Sequence, residues 1–206
     1  GYQAQYADVE HTAEPTGYSL PIYPMLRHGD PEGLERILRS AKTFSDLFLT
    51  TTTLGHVHFK GNHMSATEIA LNQNHRADIP LNGRVVSPIN TLLWYASNPG
   101  VERPLRGWAE AWVADAARTD KGKPAGVFPQ LVWVPTDEIG YPGTDDWYSA
   151  DATYGQWSAF PGYQYHLYSL AALFYLRTGD PAFRAPFDAL QEYALEWDAA
   201  GRPSYA

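Results

Sequence analysis

Apolar residues recur three and four positions apart in several stretches of this chain, and that interval predicts amphipathic helices. The clearest runs from Pro31 to about Leu49, with Leu34, Ile37, Leu38, Ala41, Phe44, Leu47 and Phe48 at helical spacing. Asp30 is placed to cap it, Pro31 sits at its first helical position, and Glu32 complements the helix dipole. Ser87-Pro88 opens a second helix to about Ser97, carrying Ile89, Leu92, Leu93 and Ala96. Asn98-Pro99 breaks it. A third runs from about Val101 to Arg118, with Leu105, Trp108, Ala109, Trp112, Val113 and Ala116 on one face. Tyr163 to Arg177 makes a fourth and about Ala182 to Asp198 a fifth. Pro21 and Pro24 keep any helix between Tyr18 and His28 short or kinked. Of the Trp residues, Trp94, Trp108 and Trp112 fall on helix faces and are expected in the core.

Between these helices the pattern changes. Thr50 to Val86 is a long connection in which Leu54-Gly55-His56-Val57-His58-Phe59 reads as a short strand or extended strip. A turn at Gly61-Asn62-His63-Met64 follows, then a brief helix over Ser65 to Ala70. A second long connection starts at Thr119. It concentrates Trp133, Trp147, Tyr148, Tyr154 and Trp157 beside Asp145, Asp146 and Asp151. Loops of this length are uncommon unless they carry function.

A repeat emerges. Leu26-Arg27-His28-Gly29-Asp30-Pro31 nearly restates itself as Leu176-Arg177-Thr178-Gly179-Asp180-Pro181, and Asn98-Pro99 holds the equivalent place between them. The chain therefore reads as one helical domain of hairpins near 18–49, 87–118 and 158–198, all-α, with short turns at one end and long aromatic loops at the other.

Composition narrows the function. The net charge of -8 leaves no basic patch to neutralise phosphates, which argues against nucleic acid. With no Cys there is neither a disulfide, a thiolate metal site nor a Cys nucleophile. No run is long enough to cross a membrane, and the sequence reads as carrying no signal peptide, which is the expectation here. The chain begins at Gly1 rather than Met, so it is expected to be a processed or excised piece. Seven Trp and fourteen Tyr are the informative part of the composition: such rings serve as core, and they also stack on the apolar faces of sugars.

Helix pairs joined by tight Gly-Asp-Pro turns and separated by long aromatic loops resemble the (α/α) toroids of carbohydrate-active enzymes. Asn62-His63 and Asp151-Ala152-Thr153-Tyr154 are most similar to the site residues of polysaccharide lyases acting on alginate, glucuronan and glycosaminoglycans. The resemblance implies an all-α (α/α) toroid, here incomplete because three hairpins are present where about six close a ring. It also implies a uronate-containing polysaccharide as substrate, a secreted or periplasmic location, and further toroid segments or a second chain to complete the ring. In that reading Asn62 neutralises the uronate carboxylate, His63 or His166 takes the C5 proton, and Tyr154 protonates the leaving oxygen.

The residues themselves leave alternatives open. Gly61-Asn62 also makes an ordinary turn with His63 packed beside it, and His166 also suits the core. Tyr163 and His166 share a helix face at the end that meets the loops. Arg76 and Arg84 suit a substrate carboxylate, and Trp147 and Trp157 suit sugar stacking because Gly, Pro and Asp surround them. Asp145, Asp146 and Asp151 permit glycoside hydrolysis instead, which needs two carboxylates at a defined separation; a non-catalytic glycan-binding protein is the third reading. No cofactor is required by any of these. A divalent cation is the alternative, held by His56 and His58, whose rings face the same way on a strand, with His63, His75 or Asp78.

Overall fold

Where a cap residue precedes a proline, a helix starts. The computed structural model describes residues 22–63, 65, 66, 69, 75–94, 96–149 and 163–200. After a four-residue helix α1 (Tyr23–Leu26), the Asp30 carboxylate accepts a hydrogen bond from the Glu32 amide at 3.1 Å and opens α2 (Pro31–Phe48). Asn98 does the same for α4 (Pro99–Ala117), accepting from the amides of Gly100 and Val101. Asp180 accepts from the Ala182 amide at 2.9 Å, starting a 3-10 turn at Pro181–Phe183 that leads into α6 (Ala185–Ala199). Each side chain satisfies an amide that the first helical turn would otherwise leave without a partner.

Helix α3 (Gly83–Leu93) begins earlier than the Ser87-Pro88 signal and keeps Pro88 inside it. A 3-10 turn at Pro80–Asn82 already sets the chain turning. Val86, Ile89, Leu92 and Leu93 are buried, which offsets the one hydrogen bond that Pro88 cannot make. Helix α5 (Tyr165–Thr178) stops at Gly179, which sits at φ 70 with its amide on the Tyr175 carbonyl at 2.8 Å.

Helices α3 and α4 both pack on α5, and α2 packs on α4. The core is threaded by edge-to-face and tilted aromatic contacts. They run from Phe44 on α2 through Phe59, Trp108 and Trp112 to Phe128 and Tyr168 on α5, with successive centroids 5.0 to 6.5 Å apart. At the end with the short turns, Arg177 ties three helices together. Its guanidinium donates to the Leu93 carbonyl (2.6 Å), to Ser97 Oγ (2.9 Å) and to Glu102 Oε2 (2.7 Å). Trp94, expected in the core, lies just past the end of α3 and is 49% exposed.

The expectation of an all-α (α/α) toroid is overturned. The chain is mixed α/β, with five short strands in two antiparallel sheets among the described residues. β1 (Leu49–Thr51) pairs with β2 (Val57–Phe59), placing Thr50 opposite His58. In the second sheet β4 (Val132–Trp133) is central, flanked by β3 (Ala77–Asp78) and β5 (Glu138–Ile139). The physical reason is that these long connections must pair their buried backbone polar groups, and without helical periodicity they do so as ladders. No helix among the described residues is long and apolar enough to cross a membrane.

Candidate functional site

The C-terminal ends of α2 and α4 and the N-terminal ends of α3 and α5 meet the strands, so the long connections gather at one end of the helices. Two groups of side chains stand there.

The first lies where α3 and α5 begin. Gly83 opens α3 so close to α5 that a Cβ there would fall 2.3 Å from His166 Cβ, and only glycine permits that approach. The contact brings Arg84 beside His166. Burial first, and then the Arg84 charge, push the His166 pKa down to about 4, so its imidazole is neutral at pH 7. His166 Nε2 is buried without a hydrogen-bond partner. The Arg84 guanidinium carbon sits 4.8 Å from the centroid of the Tyr163 ring, and Tyr163 adopts φ 59. Positive φ on a bulky aromatic residue is an outlier that surrounding structure must hold in place. Tyr165, half-exposed, lies against the His166 ring with centroids 4.0 Å apart.

Other expected site residues stand in different surroundings. Asn62 and His63 are buried, with the Asn62 amide on the His75 carbonyl (3.1 Å) and the His63 ring stacked on His75 at 3.5 Å between centroids. Trp147 is no sugar platform: it is 2% exposed and packs on Tyr193 of α6, with Val127 and Ile139 around it. Arg76 is half-buried, and its carbonyl accepts from the Val134 amide beside the β3–β4 pairing. Asp146 accepts from the Ser149 amide at 2.8 Å, and Asp145 is exposed. Tyr154, Trp157 and Asp151 lie outside the described residues.

The second group is built on the β1–β2 hairpin. His56 and His58 do face the same way, as period-2 geometry requires, but His63 and His75 are not their companions. Asp78 of β3, the other expected companion, is there, and Asp115 of α4 and Asp137 of the β4–β5 turn join it. His58 is fully buried. Its Nδ1 lies 2.8 Å from Asp78 Oδ2, and its Nε2 lies 3.0 Å from Asp115 Oδ2. The second contact is an ion pair without hydrogen-bond alignment, since neither atom has a hydrogen-bond partner. His56 Nδ1 stands 3.3 Å from Asp137 Oδ1 and 3.6 Å from Asp115 Oδ1. Arg118 donates to Asp115 Oδ1 (2.9 Å), Asp137 Oδ1 (3.1 Å) and the Asp137 carbonyl (2.8 Å).

Further bonds fix this group. Asp78 also accepts from Trp108 Nε1 and Asn82 Nδ2, each at 2.7 Å, and Thr52 Oγ1 is hydrogen-bonded to Asp137 Oδ2. Burial pulls the His58 pKa down, but the adjoining Asp115 and Asp78 carboxylates outweigh it and lift it to about 9. Neighbouring Asp115, and Asp137 behind it, raise His56 above its ordinary value as well. Burial resists ionisation of Asp115, yet His56, His58 and Arg118 hold it well below the carboxylate range.

Past the end of α4, a buried Lys123 folds back to close that helix's C-terminal end. Its Nζ donates to the carbonyls of Ala116 (2.6 Å), Val127 (2.7 Å) and Pro124 (3.0 Å). Burial drives its pKa down to about 7, although three acceptors call for the three N–H donors of the ammonium form.

Asp115 and Asp137 are the two site residues that sequence reading missed. Asp115 had a signal. It lies three residues after Trp112 and seven after Trp108, a carboxylate on the apolar stripe of an amphipathic helix. Asp137, in a loop rich in acids, had none. Compared with models of known families, with characterised proteins and with solved structures, the chain matches none.

Proposed function

We propose that the loop-bearing end cleaves a uronate-containing polysaccharide by β-elimination, with Arg84, His166 and Tyr163 as the reacting set. The observation that supports this is a guanidinium and a neutral imidazole side by side where two helix N-termini meet. Elimination needs a positive group at the carboxylate, a base at C5 and an acid at the leaving oxygen. Arg84 draws charge from the carboxylate, which acidifies the C5 hydrogen. His166 Nε2, covered in this structure, takes that proton once substrate binding uncovers it, as the C5–H bond breaks. The electron pair forms the C4=C5 double bond and expels the C4 oxygen, which the Tyr163 hydroxyl protonates.

The test is ultraviolet absorbance of the unsaturated uronate while the folded chain is offered alginate, glucuronan, ulvan and glycosaminoglycans. A rise that is lost in both His166→Gln and Tyr163→Phe, with circular dichroism unchanged, is the expected result. New reducing ends without the absorbance would replace elimination by hydrolysis. No product at all from the folded chain would refute the reading.

A further inference from the structure

We propose that His56, His58, Asp115 and Asp137 hold one divalent transition-metal ion, with zinc the best match to their chemistry and spacing. These four side chains each offer one ligand atom, and those atoms all lie within 4.8 Å of one another. Zinc bound at about 2.0–2.2 Å in a tetrahedron separates its ligand atoms by about 3.3–3.6 Å. His56 Nδ1 meets that spacing at 3.3 Å to Asp137 Oδ1 and at 3.6 Å to Asp115 Oδ1. His58 Nε2 lies 3.0 Å from the other Asp115 oxygen, Oδ2, so that this carboxylate turns one oxygen toward each histidine.

Two further observations point to a ligand and not to a mere cluster of acids. His58 Nε2 and Asp115 Oδ2 belong to fully buried side chains, point at one another, and lack a hydrogen-bond partner. A bound ion satisfies both at once. Behind them, Asp78 takes the other nitrogen of His58 at 2.8 Å and is itself held by Trp108 and Asn82. A carboxylate on the remote nitrogen of a metal-bound imidazole fixes its tautomer and aims the ligating atom.

Charge agrees. Asp78, Asp115 and Asp137 bring three negative charges to the cluster, and Arg118 is shared between Asp115, Asp137 and Asp120, so a divalent ion offsets charge that Arg118 does not. Arg118 remains on the same carboxylates, each oxygen having two lone pairs. Two imidazoles and two carboxylates suit zinc, and four protein ligands close the shell. The ion therefore acts as a clasp that joins the β1–β2 hairpin, the end of α4 and the β4–β5 turn. The His56 side chain, 23% exposed, provides the way in from solvent. This site shares no residue with the proposed elimination set, so each proposal stands or falls alone.

The experiment is calorimetric titration of the whole chain, stripped with chelator and dialysed, with zinc alone. Cobalt(II) is then added in its place and followed by visible absorption. One equivalent of zinc should bind, and cobalt should show the strong visible bands of a tetrahedral site. His56→Gln, at the solvent edge, should remove these bands and weaken zinc by at least about tenfold. Asp78→Asn, a change at a positioning residue, should weaken zinc by about 10- to 100-fold while leaving a tetrahedral spectrum. His28→Ala, an exposed histidine outside the site, should change nothing. A folded chain that takes up no stoichiometric zinc, or whose uptake survives both His56→Gln and Asp137→Asn, would overturn the assignment. The cluster would then be balanced by protonated imidazoles alone.

Discussion

Replacing His58 by Gln in the metal-stripped protein should cost stability that depends on pH in a definite direction. His58 sits fully buried between Asp78 and Asp115, and the two carboxylates lift its pKa to about 9 against an ordinary 6.5. The folded chain thus binds a proton that the unfolded chain releases between those two values. Stability from this group is complete below about pH 6.5 and is lost as pH rises through about 9. That gap corresponds to about 3 kcal/mol. Removing one member of a buried ion pair costs about 3–5 kcal/mol, which is consistent in size. The assay is urea unfolding of wild type and His58→Gln in chelator from pH 6 to pH 10. The difference between the two proteins is the quantity to follow, because Lys123 titrates in the same range with the opposite sign and cancels. The difference should shrink by about 3 kcal/mol across the range. A difference that stays flat would show that the folded protein carries His58 neutral, and the electrostatic account of the cluster would fail.

Two other outcomes follow from the contact between α3 and α5. Gly83→Ala puts a Cβ into His166, so despite the helix-propensity gain of about 1 kcal/mol it should lower stability by about 1–3 kcal/mol, read as a lower urea midpoint with unchanged slope. His166 has the reverse linkage to His58. Its pKa is depressed to about 4, so stability is present above about pH 6.5 and declines as pH falls toward 4. His166→Asn should flatten the acid limb by about 3 kcal/mol; an acid limb identical to wild type would place a charged, solvated imidazole at that position.

The helices were legible where their starts are written locally. Asp30-Pro31, Asn98-Pro99 and Asp180-Pro181 each pair a capping side chain with a proline, and each begins a helical segment. Helix α3 was read late because its own signal, Pro88, is weaker than the burial of Val86 and Ile89 around it. The second sheet could not be read. β3 and β4 are two residues long, too short to show a period, and β3 finds its partner only after two intervening helices. The toroid expectation failed for that reason: it treated as loop what the fold pairs into ladders.

At the site, the alternation His56-Val57-His58 was enough to place two imidazoles together, whereas their acidic partners depend on tertiary packing. Trp147 misled because Asp146 and Gly143 nearby suggest exposure, while Tyr193, some way down the chain, covers its ring.

Lys123 carries a consequence for covalent chemistry. An amine whose hydrogens all point at carbonyls inside the protein presents no lone pair to an acylating reagent, and 1% exposure leaves no path to one. Lys42, on the surface of α2, reacts from the folded state. Lys123 reacts only when the end of α4 lifts from the segment that follows it, so the delay between the two lysines in a labelling time course is a clock for that opening.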